Sequence, residues 1–236
     1  MMLNKYDWVD FEHQTLNLDH ISIFKIHIPD VKAEVSKCYV QLLSDDEKAK
    51  SNRFKFLADK ERFLTARVVL KLLLEHILGV SQDVINLEIS KNGKPFFKNS
   101  EFNLAHSGDY VLIAISNKPV GIDVEIPKDD FDFNIILKHT FSLEEITYIN
   151  QNHNRKESFL TLWTRKEALL KATGEGLTDD LTSFSVLNNK ITKMGADYIL
   201  NSFKINDTDI ASVAQLDSKE KVKTYNIRSN FLNFYT

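Results

Sequence analysis

The sequence predicts a mixed α/β fold made of two similar halves. Each half carries a long amphipathic helical segment, and apolar segments with the character of strands follow it. A shift of 96 residues aligns 61–74 with 157–170, and six of these fourteen positions are identical. Two amphipathic helices can share this many residues through similar packing requirements alone, so both duplication and coincidence explain the match.

The first half is expected to place a strand and two helices before its sheet. Residues 21–28 alternate apolar and polar side chains, which predicts a strand. Ser44 and Glu47 have the spacing of a capping box and predict the start of a short helix. A long helix is expected over 59–78, with Gly79 at its C-terminal cap. The strands that follow are expected at 84–89, 102–105, 110–116 and 120–126, with a turn at 91–95.

The second half repeats this order. A segment at 133–140 precedes a helix that starts at Ser142, and a long helix over 155–173 ends at Gly174. Its strands are expected at 184–187, 198–205, 210–216 and 223–227. Because no linker rich in proline or glycine separates the halves, we expect residues 1–118 and 119–236 to form two closely packed subdomains.

The composition is that of an ordinary water-soluble chain. The 236 residues are 43% hydrophobic, which is enough for a sizeable core. A net charge of −3 gives no overall electrostatic reason to bind nucleic acid or an anionic membrane. Cys38 is the only cysteine, so an internal disulfide and a multi-thiolate metal site are both excluded. No apolar segment is long enough to span a bilayer, and we expect a cytoplasmic monomer.

Acidic residues in two segments point to a metal and phosphate site. Asp123 and Glu125 lie two residues apart in a predicted strand and therefore share one face. Glu167 and Lys171 lie four apart in a predicted helix and share one face as well. If this strand and helix meet, their carboxylates and the lysine converge. Oxygen ligands of this kind suit Mg²⁺, which commonly binds substrate phosphates at the same time.

Each candidate residue also has a purely structural explanation. Asp123 and Glu125 could lie on a solvated strand edge. Glu167 and Lys171 could form an exposed helical pair worth only about 0.3–0.5 kcal/mol. The remaining candidates have similar alternatives: Glu145 could cap the helix at Ser142, His106 could be a turn residue, Arg62 could pair with Asp59 or Glu61, and Lys94 could face solvent.

The two acidic segments resemble the signatures of the 4′-phosphopantetheinyl transferases of the surfactin-synthetase-activating type. Those signatures are Gly-Ile-Asp-hydrophobic-Glu, found here at 121–125, and Trp-Ser/Thr-x-Lys-Glu-Ala/Ser-x-x-Lys, found at 163–171. Further matches follow the family order at Arg62, 93–95, 102–107 and 141–145. The resemblance extends from about residue 44 to about residue 186.

The resemblance implies a fold and an activity. The fold is a pair of subdomains related by a pseudo-twofold axis, each with a small sheet packed against a long helix and with the active site in the cleft between them. The activity is that of a holo-[acyl-carrier-protein] synthase. Such an enzyme transfers the 4′-phosphopantetheine arm of coenzyme A to a serine of an apo acyl or peptidyl carrier protein and releases 3′,5′-adenosine bisphosphate. Mg²⁺, with Mn²⁺ as an alternative, is the implied cofactor.

The resemblance also implies roles for particular residues. Asp123, Glu125 and Glu167 correspond to the metal-binding acids, and Glu167 is the candidate base as well. Lys171 corresponds to the lysine that neutralises or protonates the departing phosphate. The residues that correspond to contacts with the 3′-phosphoadenosine portion are Lys50, Arg62, Lys94 and His106, with Ser107 as a possible compensating contact.

The chain departs from the family pattern at two positions of that nucleotide contact. Glu47 stands where a basic residue is expected, and Ala105 stands where a serine or threonine is usual. Both departures affect positions that the resemblance assigns to binding of the 3′-phosphate.

Two other classes of function would use part of the same residue set. A non-catalytic module that binds coenzyme A or a carrier protein would keep Arg62, Lys94 and His106 but would not need the acids. A Mg²⁺-dependent nuclease would use acids and a lysine, yet the chain lacks the basic surplus expected of a nucleic-acid-binding protein. Because all the acids are present, an enzyme acting on coenzyme A is the favoured interpretation.

Overall fold

The computed structural model describes residues 3–16, 20–82, 85–98, 100–127, 131–176, 181–217 and 221–235. Its helices are α1 (Ile28–Leu42), α2 (Asp45–Ser51), α3 (Leu57–Leu78), α4 (Leu137–Thr140), α5 (Leu143–Gln151), α6 (Arg155–Thr173) and α7 (Ser229–Asn233). Its strands are β1 (Val9–Asp10), β2 (Ile21–His27), β3 (Glu88–Ile89), β4 (Pro95–Phe96), β5 (Glu101–Ser107), β6 (Tyr110–Ser116), β7 (Val120–Glu125), β8 (Lys190–Lys193), β9 (Ala196–Lys204), β10 (Ile210–Leu216) and β11 (Val222–Ile227).

The two long helices form where the sequence predicts them. α6 has the predicted bounds, and α3 begins two residues earlier than predicted. Gly79 and Gly174 end these helices in the left-handed conformation, with φ of 62° and 74°. Ser44 and Ser142 start α2 and α5 with complete capping boxes.

Two sheets and a short hairpin make up the β structure. The first sheet has the strand order β1-β11-β2-β6-β5, and the second has the order β7-β10-β9-β8. α1, α3 and α7 pack on the outer face of the first sheet, whereas α5 and α6 pack on the second. The predicted α+β fold with two similar subdomains is therefore confirmed. None of the helices in the described part of the chain is long and apolar enough to cross a membrane.

The inner faces of the two sheets bury a third apolar layer between them. Ile21 and Leu112 of the first sheet meet Ile122, Val124 and Val213 of the second in this layer. Asn103 on β5 joins the neighbouring edges, because its Oδ1 accepts the Ile122 N–H at 2.9 Å. The halves are thus held together by an apolar core and by a hydrogen bond beside Asp123.

The last strand differs from its expected position. Residues 223–227 were expected to complete the second half, but β11 lies between β1 and β2 of the first sheet and runs parallel to both. Tyr225 on β11 stacks on Phe24 with ring centroids 5.4 Å apart, and α7 adds Phe231 to the same core. A boundary at residue 119 therefore assigns every strand up to β10 to the correct sheet, but it assigns β11 to the wrong one. The division of the chain into two subdomains at this residue remains a proposal.

Three smaller differences separate the structure from the sequence prediction. The predicted strand at 184–187 does not form, because the Phe184 carbonyl accepts from Lys166 and the Val186 N–H donates to Glu145 instead of to a neighbouring strand. α1 was not predicted, although its buried residues recur at helical spacing. Of the expected strand at 84–89 only β3 is present, and Val84 lies outside the described residues.

A close approach between β7 and α6 positions the acidic segments. A Cβ atom on Gly121 would overlap the backbone of Ala168 and Ala172, so only glycine allows the strand and the helix to lie this near. Since alternate strand residues share a face, Asp123 follows Gly121 on the side that faces α6. The two segments singled out in the sequence meet for this reason.

Candidate functional site

A cleft of about 570 Å³ lies where the two halves meet. The first half contributes residues of α2, α3, β5 and the turn before β4, and the second half contributes β7 and the end of α6. The charged residues in the lining are Lys50, Asp59, Arg67, Lys94, His106, Asp123, Glu125 and Lys171. A ligand of this cleft would contact both halves at once.

Asp123 and Lys171 form an ion pair at one end of the cleft. Lys171 Nζ lies 2.7 Å from Asp123 Oδ1 and also donates to the Ile122 carbonyl at 3.2 Å. Asp123 is only 7% exposed, and its Oδ2 has no hydrogen-bond partner among the described residues. Burial raises the pKa of Asp123, and the charge of Lys171 opposes that shift. A buried carboxylate oxygen without a partner is costly, which makes it a candidate ligand for a cation.

Glu167 and Glu125 add further negative charge next to this pair. Burial raises the pKa of Glu167, and the nearby carboxylates of Asp123 and Glu125 raise it further. Ser107 Oγ donates to Glu125 Oε2 at 3.2 Å. The acids of β7 and α6 are therefore close enough to repel one another, and a cation placed among them would relieve this repulsion.

The carboxylates of Asp123, Glu125 and Glu167 are chemically suited to a hard divalent cation, although the structure does not arrange them as a complete metal site. Within the described ranges, no three His, Cys, Asp or Glu side chains are grouped closely enough to hold a metal ion. Lys171 occupies one oxygen of Asp123, and Ser107 occupies one oxygen of Glu125. The carboxylates provide the oxygen ligands that Mg²⁺ and Mn²⁺ accept, and the unpartnered Asp123 Oδ2 can receive the ion without breaking a hydrogen bond.

Three of the expected nucleotide contacts line the cleft. They are Lys50, Lys94 and His106. Lys94 Nζ donates to the Lys171 carbonyl at 3.1 Å and thereby satisfies a backbone acceptor near the end of α6. Burial lowers the pKa of Lys94, and burial together with the charge of Arg62 lowers the pKa of His106. A lysine ammonium has three donors, so Lys94 can keep this bond and still bind an anion.

Arg62 and Ser107 are placed differently. Arg62 Nη2 lies 2.6 Å from Asp59 Oδ1, and its Nη1 donates to the Gly108 carbonyl at 2.9 Å. Arg62 therefore makes the structural pair with Asp59 that the sequence allowed as an alternative. Neither Arg62 nor Ser107 is part of the cleft lining. Their roles as nucleotide contacts remain proposals.

Glu145 has a structural role. It belongs to the capping box with Ser142, and its Oε1 accepts the Val186 N–H at 2.8 Å. Its Oε2 lies 3.0 Å from Lys166 Nζ, and both side chains are at least 99% buried. Lys166 also donates to the carbonyls of Leu181 and Phe184. This buried pair therefore holds residues 181–186 against α5 and α6.

Three residues of the site were not singled out from the sequence. Asn103 bridges the sheets, and Asn92 Nδ2 donates to the carbonyls of Gly174 and Glu175 beyond the end of α6. Both lie inside or next to motifs that had been noted. Arg67 lines the cleft from α3, and its sequence position carried no signal because it falls within an apolar helical pattern.

The chain matches two family models and several named proteins over most of its length. Residues 119–221 match the 4′-phosphopantetheinyl transferase superfamily, and residues 32–119 match the 4′-phosphopantetheinyl transferase N-terminal family. It is 33% identical to the 4′-phosphopantetheinyl transferase psf-1 of Bacillus pumilus over 174 residues, which are 70% of this chain and 74% of that protein.

Other relatives have the same kind of name. A putative 4′-phosphopantetheinyl transferase of Synechocystis is 35% identical over 61% of this chain and 61% of its own length. The 4′-phosphopantetheinyl transferase Sfp of Bacillus subtilis is 28% identical over 65% of this chain and 70% of its own length. The two family models meet at residue 119, where β7 brings Asp123 into the cleft. On this evidence the chain belongs to the 4′-phosphopantetheinyl transferase family.

Proposed function

We propose that the protein transfers the 4′-phosphopantetheine arm of coenzyme A to a serine of an apo carrier protein. Besides the family relationship, one structural observation supports this proposal. Asp123 and Lys171 form an ion pair at one end of a cleft whose other walls carry Lys50 and Lys94. Glu167 is not part of the cleft lining, but it is close enough to Asp123 and Lys171 for their charges to influence its pKa. Acids for a metal and cations for phosphates are thus available to a single ligand.

The proposed reaction exchanges one phosphorus–oxygen bond for another. The serine hydroxyl attacks the β-phosphate of coenzyme A and loses its proton, and the bond to the α-phosphate oxygen breaks. The products are the phosphopantetheinyl-serine and 3′,5′-adenosine bisphosphate. The principal barrier is electrostatic, because an electron-rich oxygen approaches a negatively charged diphosphate.

The acids and the lysine are proposed to divide this work. Asp123, Glu125 and Glu167 would hold Mg²⁺, or Mn²⁺, which when bound supplies charge neutralisation for the diphosphate. Glu167 accepts the serine proton, and its half-buried position next to Lys171 supports that role. Lys171 contributes positive charge, or a proton, to the departing phosphate. Its ammonium is already directed towards Asp123 at 2.7 Å.

The direct test is the mass of a carrier protein. An apo acyl carrier protein incubated with the enzyme, coenzyme A and Mg²⁺ is expected to gain the mass of one phosphopantetheine. A carrier whose acceptor serine is replaced by alanine is the control and should gain nothing. Binding of coenzyme A without any mass gain on several carriers would favour a non-catalytic binding module.

We expect Glu167 and Lys171 to affect catalysis in different ways. Glu167→Gln removes a charged oxygen ligand, so turnover should fall and the Mg²⁺ concentration needed for half-maximal rate should rise. Lys171→Ala keeps the acids but removes positive charge from the leaving phosphate, so kcat should fall with little change in the Mg²⁺ requirement. Both effects are measured by the initial rate of carrier modification at varied Mg²⁺.

Lys171→Arg separates the two possible roles of the lysine. Arginine restores the charge but does not release a proton in proteins, so rescue would favour charge neutralisation. Failure of this variant would favour proton transfer or a strict geometric requirement. If Lys171→Ala turned over like the wild type, Lys171 would only be a partner of Asp123 and the catalytic assignment would be withdrawn.

Arg62 is proposed to act through the 3′-phosphate. Arg62→Ala is then expected to raise the KM for coenzyme A more than the KM for 3′-dephospho-coenzyme A. The comparison of the two substrates is necessary because the variant also breaks the contacts to Asp59 and Gly108. An equal change in KM for both substrates would mean that Arg62 serves only to hold Asp59 and Gly108 in place.

A further inference from the structure

A row of three buried polar side chains crosses the second sheet on the face that α6 covers. Asp123 on β7 lies directly opposite Ser212 on β10, and Ser212 lies directly opposite Ser202 on β9. Side chains of directly opposed residues stand on the same face of a sheet. The next row along these strands is apolar, with Ala214 and Leu200 in the core beneath α6. Asp123 therefore forms the cleft end of a polar row that the helix covers.

Thr164 on α6 contacts this row from the helix side. Its Oγ1 lies 2.8 Å from Ser212 Oγ, and Ser212 Oγ lies 2.9 Å from Ser202 Oγ. Thr164 is fully buried and donates its own hydrogen to the Thr161 carbonyl at 3.1 Å. Because each hydroxyl has a single hydrogen, Ser212 donates to Thr164 and Ser202 donates to Ser212. The three hydroxyls thus form one hydrogen-bonded chain from β9 through β10 to α6.

This chain fixes the position of α6 on the sheet more strictly than apolar packing does. The two hydroxyl oxygens approach to 2.8 Å, whereas a carbon and an oxygen meet at about 3.3–3.6 Å. A hydrogen bond also has a preferred direction, while the hydrophobic effect has none. Sliding α6 along the sheet would therefore break the Thr164–Ser212 pair. Gly121 allows β7 to come close to the helix, and this pair determines where along β10 the helix lies.

The helix residues of the candidate site follow Thr164 on the same side of α6. Glu167 and Lys171 come three and seven residues later, which correspond to one and two helical turns. Lys171 Nζ then lies 2.7 Å from Asp123 Oδ1, on the strand residue directly opposite Ser212. A shift of α6 at Thr164 would therefore change the distances between these charged groups.

We propose that Thr164 and Ser212 are positioning residues for the candidate active site. Their hydroxyl pair holds α6 on the sheet so that Glu167 and Lys171 stand at the distance from Asp123 that the reaction needs. Neither Thr164 nor Ser212 is part of the cleft lining, so both act through the charged residues and not on the ligand. The inference rests on the proposed function, because it takes these charged residues as the ones that serve the transfer.

The test replaces Thr164 by valine, which has a similar shape and no hydroxyl. We expect the methyl group opposite Ser212 to move α6 outward by about 0.5 Å. In a Mn²⁺ titration followed by electron paramagnetic resonance, Thr164→Val should bind the ion about 3-fold or more weakly. At saturating Mg²⁺, kcat should fall about 10-fold and the KM for coenzyme A should change less than about 2-fold. Thr164→Ser keeps the hydroxyl and should behave like the wild type.

Thr161→Val is the matched control. Thr161 is also buried on α6, and its hydroxyl donates to the Glu157 carbonyl within the same helix at 2.7 Å. Urea denaturation should show a loss of stability similar to that of Thr164→Val, whereas Mn²⁺ affinity and kcat should stay at the wild-type values. If Thr161→Val weakened Mn²⁺ binding as much as Thr164→Val does, the effect would belong to the helix core in general, and the inference would be overturned.

Wild-type Mn²⁺ affinity in a folded Thr164→Val protein would overturn the inference as well. If Thr164→Val does not fold, Ser212→Ala decides the question by the same titration. Unchanged affinity in that variant would overturn the inference, and weakened affinity would support it. Because Mn²⁺ binding is measured without a carrier protein, failure of the wild type to modify a carrier would refute the proposed function, while the comparison of affinities would still decide the role of Thr164.

Discussion

Asp123→Asn is expected to lower the rate of phosphopantetheine transfer by about 100-fold or more, which corresponds to roughly 3 kcal/mol of transition-state stabilisation. Asparagine keeps the size of the side chain but removes the negative charge of the carboxylate. In the wild type, the Oδ2 atom of this carboxylate is buried without a hydrogen-bond partner among the described residues. Initial rates with one carrier protein at saturating Mg²⁺ measure the effect. Asp123→Ala should lose at least as much activity.

The control for this prediction is a carboxylate in the turn that joins two strands of the same sheet. Asp207 lies exposed between β9 and β10, and Asp207→Asn should transfer at the rate of the wild type. Circular dichroism and thermal unfolding of Asp123→Asn should show an intact fold. A folded Asp123→Asn enzyme with close to normal turnover would mean that this acid does not serve the reaction.

Lys166→Ala is expected to lower the free energy of unfolding by about 3–5 kcal/mol, the typical cost of breaking a buried ion pair. The variant leaves the Glu145 carboxylate buried without its cation and removes the donor to the carbonyls of Leu181 and Phe184. Urea denaturation followed by circular dichroism measures the change. Restoring neutrality with the double variant Glu145→Gln, Lys166→Met should recover part of the loss, because no uncompensated charge remains.

The matched control is an ion pair at the surface. Lys204 and Glu157 are separated by 2.8 Å, and both side chains are more than one third exposed. Exposed pairs usually contribute less than about 1 kcal/mol, so Lys204→Ala should change stability little. A loss for Lys166→Ala no greater than for Lys204→Ala would show that the buried pair does not hold residues 181–186 in place.

Local patterns predicted α2, α3, α5 and α6 and most of the strands, but they missed α1 and α7. α6, β6 and β10 have the predicted bounds because apolar periodicity, glycine caps and strand alternation all act within a few residues of one another. Pairing between distant segments is not encoded so locally. β11 therefore joined the first sheet although its place in the sequence suggested the second.

The candidate site was predictable in its spacing but not in its contacts. The face shared by Asp123 and Glu125, and the one shared by Glu167 and Lys171, follow from the periods of strand and helix. That Lys171 pairs with Asp123 depends on how closely β7 approaches α6, which Gly121 determines. Arg67 was missed because an arginine within an apolar helix pattern gives no sign of facing a cleft.

Glu47 illustrates how a departure from a family pattern can be understood only in three dimensions. A basic residue is expected at this position, where the resemblance implies a contact with the 3′-phosphate. In the structure Glu47 pairs with Lys71 and lies next to Arg67, which carries a cation into the cleft from another turn of α3. Glu47 is therefore the partner of two cations of α3, and one of them, Arg67, lines the cleft together with Lys50.

The central claim is that acids from β7 and α6 hold one divalent cation, and Mn²⁺ binding followed by electron paramagnetic resonance tests it most directly. Mn²⁺ loses its free-ion signal when it binds, so a titration gives the affinity without any need for turnover. We expect Asp123→Asn and Glu167→Gln each to weaken Mn²⁺ binding by about 10-fold or more, whereas Asp207→Asn should not. Wild-type affinity in either of the first two variants would contradict the central claim.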